Sequence, residues 1–508
     1  MTFISLSNHQ DNSTYGYSLL RLCGAIKGHS KTNTSNGAQN QWLLITQQPA
    51  NKTTRWEVRE SSFKALILLS EGVNTLQLKL ESNPNEILGN FTFTYDASLI
   101  NNWNRENKMI KRVIPVHFVC SDHDGSFQSI EGCQTAEIAR QKLGVAALMY
   151  QTFCAEALKH NKTFGLEMES DRTNMPHVMT FKSKKWTRSA LEALGDHWND
   201  GGCAGWSAIY EELEEHDMHN PNFIYFCVLA GSKYNTTTHK TQMGTALGGG
   251  KLALWTDCTL YSYAKNVDEI VKCLLDNRKV DVNKLPDDSC YRGSYWANYS
   301  TGLGAAMHEL GHCFGCPHTP GGIMARGFDD FNRFFMISEP GDNQAIITKT
   351  HELGAFWEDS SIAIILKHPV VGSKSECVII PGKSVVQVPV VKSNVSSVNT
   401  NSMMDCHYYV CGKSFENDSS FEHESKTTWL ERHGEVPFAS FIETARNQEE
   451  IILFDNGRNM ELKLTKAQAF WKMADATNWY LLANGKPLFS HIQEDRKLLE
   501  KHGCEIKY

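Results

Sequence analysis

The sequence predicts a multidomain α+β protein. Three observations carry that reading: short β-like runs fill residues 1–105, strands alternate with long helical stretches over 110–369, and β-like runs return over 370–508. At 508 residues the chain can bury more than one sizeable core.

In the first stretch, "YSLLRLCGAI", "QWLLITQQ", "SFKALILLSEGVNTLQLKLES" and "FTFTYDA" are separated by Gly, Asn, Ser and Pro clusters. "GVNTLQLKL" alternates from Val73 as a half-buried strand does, and a small β-sandwich is expected for residues 1–105. The polar run Asn101 to Lys108 marks a boundary. Beyond it, "IKRVIPVHFVC" reads as a strand and Thr135 to Asn161 as one long amphipathic helix. "KTFGLEMES", "NFIYFCVLAG" and "GTALGGGKLALW" read as further strands, and a helical stretch around "NQAIITKTHELGAFWEDSSIAIILKH" ends before Pro369. Residues 370–508 read as a third, β-rich domain. Strands are expected in "ECVIIPGKSVVQVPVV", a hairpin at Asn456-Gly457, and a closing helix in "HIQEDRKLLEKHG".

The net charge of −7 argues against nucleic acid as a main partner, because a phosphate backbone requires a basic surface. No apolar run approaches the roughly 18 residues of a membrane span. The N-terminal "MTFISLSNHQDNSTYGYSLL" has no basic start and no apolar h-region, and the 15 cysteines lack a disulfide framework. A cytoplasmic address is expected. No sequence feature sets an oligomeric state.

Chemistry concentrates in "AAMHELGHCFGCPHTPGGIMARGF", Ala305 to Phe328. On a helix, His308 and His312 are four residues apart, so both rings reach one metal ion. Glu309, beside the first of them, points toward the open coordination position, where it can take a proton from water. Gly315 is able to adopt positive φ and end the helix, and Pro317 stops it from resuming, so the chain turns and brings His318 back. Three neutral imidazoles leave a fourth position open, as a catalytic zinc ion requires. A bare H-E-x-x-H arises by chance in roughly one such chain in twenty; adding Gly315 and His318 at their offsets lowers this to about one in ten thousand. "HELGAFW" at His351 repeats the start of the motif but has Ala355 in place of the second histidine, and is read as structural.

Other polar clusters have plainer readings. Cys313 and Cys316 form a C-x-x-C, but Cys313 points roughly 100° away from His312 on the helix, so a buried thiol is expected. The run "EELEEHDMHN" from Glu211 is read as a solvated charged face, "DCHYYVC" as a strand and "SDHDGS" as a turn.

The full spacing HELGHCFGCPH resembles the metzincin zinc endopeptidases, whose H-E-x-x-H-x-x-G-x-x-H is followed by a Met-turn. "GGGKLALW", "DDSCYRGSYWANYSTGLGAAMHELGHCFGCPHTPGGIMARGFDDFNR" and "LKHP" are similar, more narrowly, to the "putative zinc metallopeptidase" family of fungi and animals. The resemblance covers about Lys111 to Pro369. It implies a metzincin-like central domain, one catalytic Zn2+ ion on His308, His312 and His318, Glu309 as general base, and Met324 as the Met-turn residue beneath the metal. It also implies peptide or protein substrates. By the same resemblance, Gly249 to Leu254, with Gly250, Leu252 and Ala253, is a candidate edge strand for pairing an extended substrate; an interior strand with a glycine bulge is the equal alternative. Two features depart from the metzincin pattern. The His318–Met324 interval is short, and Arg326 stands where some members place a transition-state tyrosine, leaving Arg326, Tyr299 and Tyr295 open for that role. A zinc-binding scaffold with little turnover, or a zinc hydrolase acting on a non-peptide bond, are the alternative functions.

Overall fold

The structure is a computed structural model describing residues 2–28, 41–101, 111–158, 162–170, 174–194, 203–243, 246–340, 347, 354–371, 377–379 and most of 406–488. It is a mixed α+β protein. The chain divides into two compact units, one of residues 1–314 and 321–383, the other of residues 384–508 with the short stretch 315–320.

The first unit opens with a nine-stranded sheet. Its strands are hydrogen-bonded in the order Phe3–Leu6, Leu19–Lys27, Ser62–Leu68, Lys52–Arg59, Gln41–Gln48, Gly72–Leu80, Gly89–Tyr95, Ser13–Tyr15 and Val378–Ile379. Where two packed sheets were expected, hydrogen bonding is continuous. It narrows to two residue pairs, Val58–Phe63 and Arg59–Ser62, and residues from both sides of that narrow link share one core that includes Leu22, Leu43, Phe63, Ile67, Leu78 and Phe93. In the 72–80 strand the buried set is Asn74, Leu76, Leu78 and Leu80, while Val73 is 60% exposed. Asn74 tolerates the inward position because Gln47 and the Ser70 N–H donate to its Oδ1 and its Nδ2 donates to the Ser70 and Gly72 carbonyls.

A five-stranded sheet follows, ordered Met179–Lys182, Arg112–Val119, Phe223–Ala230, Leu252–Thr256 and Ala246–Gly249. The first four strands are parallel and the last is antiparallel to its neighbour. "GTALGGGKLALW" is therefore two strands, turned at Gly250, whose φ is +49°. One face packs through Val116, Phe118, Tyr225 and Leu254 on the helices Arg188–Leu194 and Ala204–His216. "KTFGLEMES" makes only an isolated bridge from Met168 to Pro176. Its remaining backbone groups find both side chains and main chain: the Gln151 amide donates to the Phe164 carbonyl, Asn101 Oδ1 accepts from the Leu166 N–H, the Val113 N–H donates to the Gly165 carbonyl, and the Glu169 N–H donates to the Met175 carbonyl.

The long helix runs Ala136–Ala157, with Thr135 as its N-cap. Near its end, Glu156 accepts from Arg21 Nε at 2.9 Å and from the Arg21 backbone N–H, while Arg21 stacks on Phe334 at 3.5 Å. This buried ion pair fastens the first sheet to the helix. Near Pro369 the helix is confined to Asp359–Lys367, and Phe356 to Glu358 are not helical. His351 and the closing stretch "HIQEDRKLLEKHG" lie outside the described residues, as does most of "ECVIIPGKSVVQVPVV".

The second unit is a closed antiparallel barrel of eight strands, from Tyr408–Cys411 to Tyr480–Leu488, around Tyr409, Phe421, Trp429, Leu453 and Leu464. Strands Glu450–Asp455 and Met460–Thr465 pair as the Asn456-Gly457 hairpin predicts, with the turn itself outside the described residues.

Candidate metal centre

The helix Tyr295–Cys313 is buried at every position except His312, which is half-buried. Its small residues make this possible. A side chain at Gly304 would collide with the Phe328 backbone, and one at Gly311 with the Met324 sulfur. The helix ends at Phe314, and Gly315 has φ +88°, the left-handed turn foreseen from the sequence.

The ligand nitrogens of His308, His312 and His318 all lie within 4.8 Å of one another. His308 is buried, His312 half-buried and His318 exposed, so the cluster opens to solvent on the His318 side. The rings of His308 and His312 meet edge to face, their centroids 4.7 Å apart. Nδ1 of His308 is 2.7 Å from the Ile323 carbonyl oxygen, which can only accept, so Nδ1 carries the proton and Nε2 presents a lone pair. That Nε2 lies 3.1 Å from Nε2 of His312. Imidazole lone pairs gathered this closely suit a shared cation. Carbonyl orientation of a ligand histidine is also the support that zinc centres use.

Glu309 is 9% exposed and faces the edge strand. Burial pushes its carboxyl up to about 7, against a hydrogen bond from the Gly248 backbone that pulls it down. A Cβ on Gly248 would run into the Glu309 backbone, so strand and helix touch main chain to main chain here. One helical turn on, Cys313 Sγ lies 3.8 Å from the Gly249 carbonyl oxygen. Cys313 and Cys316 are both buried, and burial pushes the Cys313 thiol far up.

Met324 is buried with its sulfur under Gly311, and the turn around it is fixed by the Ile323 N–H to the Phe356 carbonyl at 2.9 Å. Tyr299 lies nine residues before His308, roughly 13 Å along the helix, with its hydroxyl on Met149 Sδ. Tyr295 packs edge-on against Tyr261. Both tyrosines are core residues. Arg326 pairs with Asp329 at 2.9 Å and lies over Phe328, whose ring meets His308 at 5.3 Å.

Of the candidate edge residues only Gly249 lies on the edge strand, and Leu252 and Ala253 follow the equal alternative of an interior strand. Leu252 and Ala253 are buried on an interior strand bonded on both sides, to Phe223–Ala230 and to Ala246–Gly249. The free edge is Ala246–Gly249, and Gly250 is its turn. The "EELEE" run is another correction. Glu212 and Glu214 are buried: Glu212 accepts from Ser183 and the Lys184 and Lys185 N–H groups, and Glu214 pairs with Lys251 at that turn. Alternation on the helix carried this signal, since Ile209, Glu212 and Leu213 share a face.

A mixed α+β fold with three convergent imidazoles on a buried helix and the loop after it defines a protein with a histidine cluster that could hold a metal ion. The sequence profile of the "Putative peptidase family" matches residues 3–410, and the chain belongs to that family. Two relatives carry the description "Putative zinc metalloproteinase". One, from Schizosaccharomyces pombe, is 26% identical over 297 residues, which is 56% of this chain and 46% of the relative. The other, from Saccharomyces cerevisiae, is 24% identical over 360 residues, 64% of this chain and 48% of the relative. The chain spans about half the length of the curated relatives it matches. Among the described residues no helix is long and apolar enough to cross a membrane.

Proposed function

We propose that this protein is a zinc-dependent metalloendopeptidase of metzincin type. The carrying observation is the convergence of His308, His312 and His318 within 4.8 Å beside a buried glutamate. The residues fit zinc: the donors are imidazole nitrogens, and His308 is fixed in its ligating tautomer by the Ile323 carbonyl. Zinc, when bound, lowers the pKa of water and polarises the scissile carbonyl.

The chain's own groups do the rest. Glu309 takes a proton from the attacking water and delivers it to the leaving amine, a role suited to a carboxyl held near neutrality by burial. The Gly248 backbone keeps that carboxylate at the edge strand. The free edge at Ala246–Gly249 offers main-chain groups to an extended peptide, which enters as one more strand. Met324 supports the helix from below without ligating. The buried Glu309 favours this reading over a zinc-binding scaffold, which has no use for a buried carboxyl.

The test is metal analysis with cleavage of a mixed peptide library by the purified protein and by Glu309→Gln. One zinc per chain in both proteins, and turnover at least about 10²-fold lower in the variant, is the expected result. Equal cleavage by the two would overturn the mechanism.

A further inference from the structure

A cavity of about 560 Å³ opens at the start of the edge strand, within the usual range for ligand sites. Its wall includes Ala246, Trp255, Tyr234, Pro286, Asp287 and Asp288. Ala246 and Gly248 share one side of the strand, and the Gly248 side meets the helix at Glu309. The cavity therefore lies on the same side of the sheet as Glu309, about 6.6 Å further along the edge.

Register fixes which part of a bound peptide would reach it. On a peptide antiparallel to Ala246–Gly249, the residue opposite Ala246 lies two positions C-terminal to the residue opposite Gly248. The scissile bond sits at Glu309, beside Gly248, so the cavity receives a side chain just beyond that bond.

Carboxylates dominate its charge, although His239 also lines it and the Arg326 guanidinium acts on Asp288 from nearby. Asp287 and Asp288 are both solvent-accessible, and among the described residues neither has an ion-pair partner. The nearby arginines are committed elsewhere, Arg326 to Asp329 and Arg292 and Arg333 to Asp330. Partial burial, with Asp329 and Asp287 close by, raises the Asp288 carboxyl to about 6, as befits a recess with surplus negative charge. Asp288 is held there by its backbone N–H on Asn298 Oδ1 of the motif helix, and Tyr234 is fixed by its hydroxyl on the Val282 carbonyl. The walls are thus anchored, and Asp287 is held in place by accepting from the Ser289 N–H at 3.1 Å, while among the described residues neither carboxylate is neutralised by an ion pair.

We infer that this cavity is the subsite for the second or third substrate residue after the scissile bond, and that Asp287 and Asp288 select lysine or arginine there. The inference rests on the peptidase reading above and names the substrate class of that same site.

Binding separates the two. Peptides carrying lysine, ε-acetyl-lysine or norleucine at these positions are titrated against the intact zinc-loaded Glu309→Gln protein by fluorescence anisotropy. The lysine peptide should bind at least tenfold more tightly than either neutral peptide. Asp287→Asn/Asp288→Asn should erase the difference, and Asp288→Lys should turn the preference toward glutamate. Comparing peptides on one protein needs no further variant to fold. Equal affinity for lysine and norleucine peptides overturns the inference, and so does a lysine preference that survives the double variant. In parallel, the protein with Glu309 intact is assayed for cleavage. Lysine-selective binding with no cleavage overturns the peptidase reading and leaves only a pocket for basic side chains; cleavage with no basic preference overturns the inference and leaves the peptidase reading standing.

Discussion

Gly248→Ala tests the link between the edge strand and the general base. A methyl group built on Gly248 would stand 2.0 Å from the Glu309 carbonyl oxygen, 2.6 Å from its carbonyl carbon and 2.7 Å from its Cα. Ordinary contact begins at 3.4 Å, so strand and helix must part by about 1.4 Å. The obstacle is main chain on a buried helix, so no side-chain rotation relieves it. Overpacking of this kind costs about 1–3 kcal/mol. The separation also draws the Gly248 N–H away from the Glu309 carboxylate. A displacement near 1 Å at a reacting centre costs about 10² in rate. The three histidines lie outside the collision, so zinc should remain. The assay combines zinc stoichiometry, thermal unfolding and kcat on a library-selected peptide. The expected variant keeps one zinc per chain, melts several degrees lower and turns over about 10²-fold more slowly. A Gly248→Ala protein with full kcat would refute the claim that strand and base are geometrically coupled.

His318→Ala should weaken zinc binding severely and abolish turnover, whereas Cys316→Ser, at a buried loop position, should keep zinc; metal analysis of the two variants checks the three-histidine assignment. His351→Ala should leave zinc stoichiometry at the level of the unmodified protein, because a motif without its second histidine holds no metal; loss of zinc in that variant would contradict this. Glu156→Ala leaves Arg21 buried without its carboxylate and should cost about 3–5 kcal/mol, read by denaturant unfolding. Burial raises the Glu156 carboxyl, but Arg21 and His9 outweigh it, so its folded pKa is net lowered. Its contribution to stability is then complete above the unfolded value of about 4.3 and is lost as pH falls through the lower folded value. The Glu156→Ala penalty should accordingly shrink below about pH 4.

The convergence of the three histidines, on which the proposed metal site rests, was legible because it is local in sequence. His308 and His312 are four apart on a helix that small residues allow to be buried, and Gly315 does what its φ of +88° permits. The packing beneath the site is nearly as local: Met324 and the Ile323 carbonyl follow within six residues of His318. The sequence left edge and interior open for Gly249 to Leu254, and the chain there splits between them for a physical reason. "GGGKLALW" joins a flexible turn to an apolar run, and the apolar part, Leu252 to Trp255, is buried because it is interior. The true edge, "ALGG", has little hydrophobic pattern at all. Gly248 answers to the helix backbone at Glu309, sixty-one residues away, and no periodicity reports a contact of that kind.

The same distinction explains why the donor set of the proposed centre could be read from the sequence and a substrate subsite could not. Metal ligation needs three donors, and one helix followed by one turn supplies them. A substrate cleft needs walls, and these come from separate parts of the chain: Ala246 and Trp255 from the sheet, Tyr234 from the segment after Phe223–Ala230, and Asp287 and Asp288 from the loop before the motif helix. In sequence, Asp287-Asp288 is an ordinary polar pair in a loop. Only when the fold sets it across from Ala246, with the neighbouring arginines already paired, does it become an anionic wall two residues along from the base. Charge there acts on the substrate and not on folding. Neutralising it should therefore alter which peptides bind far more than how stably the protein folds, whereas Glu156→Ala should do the opposite.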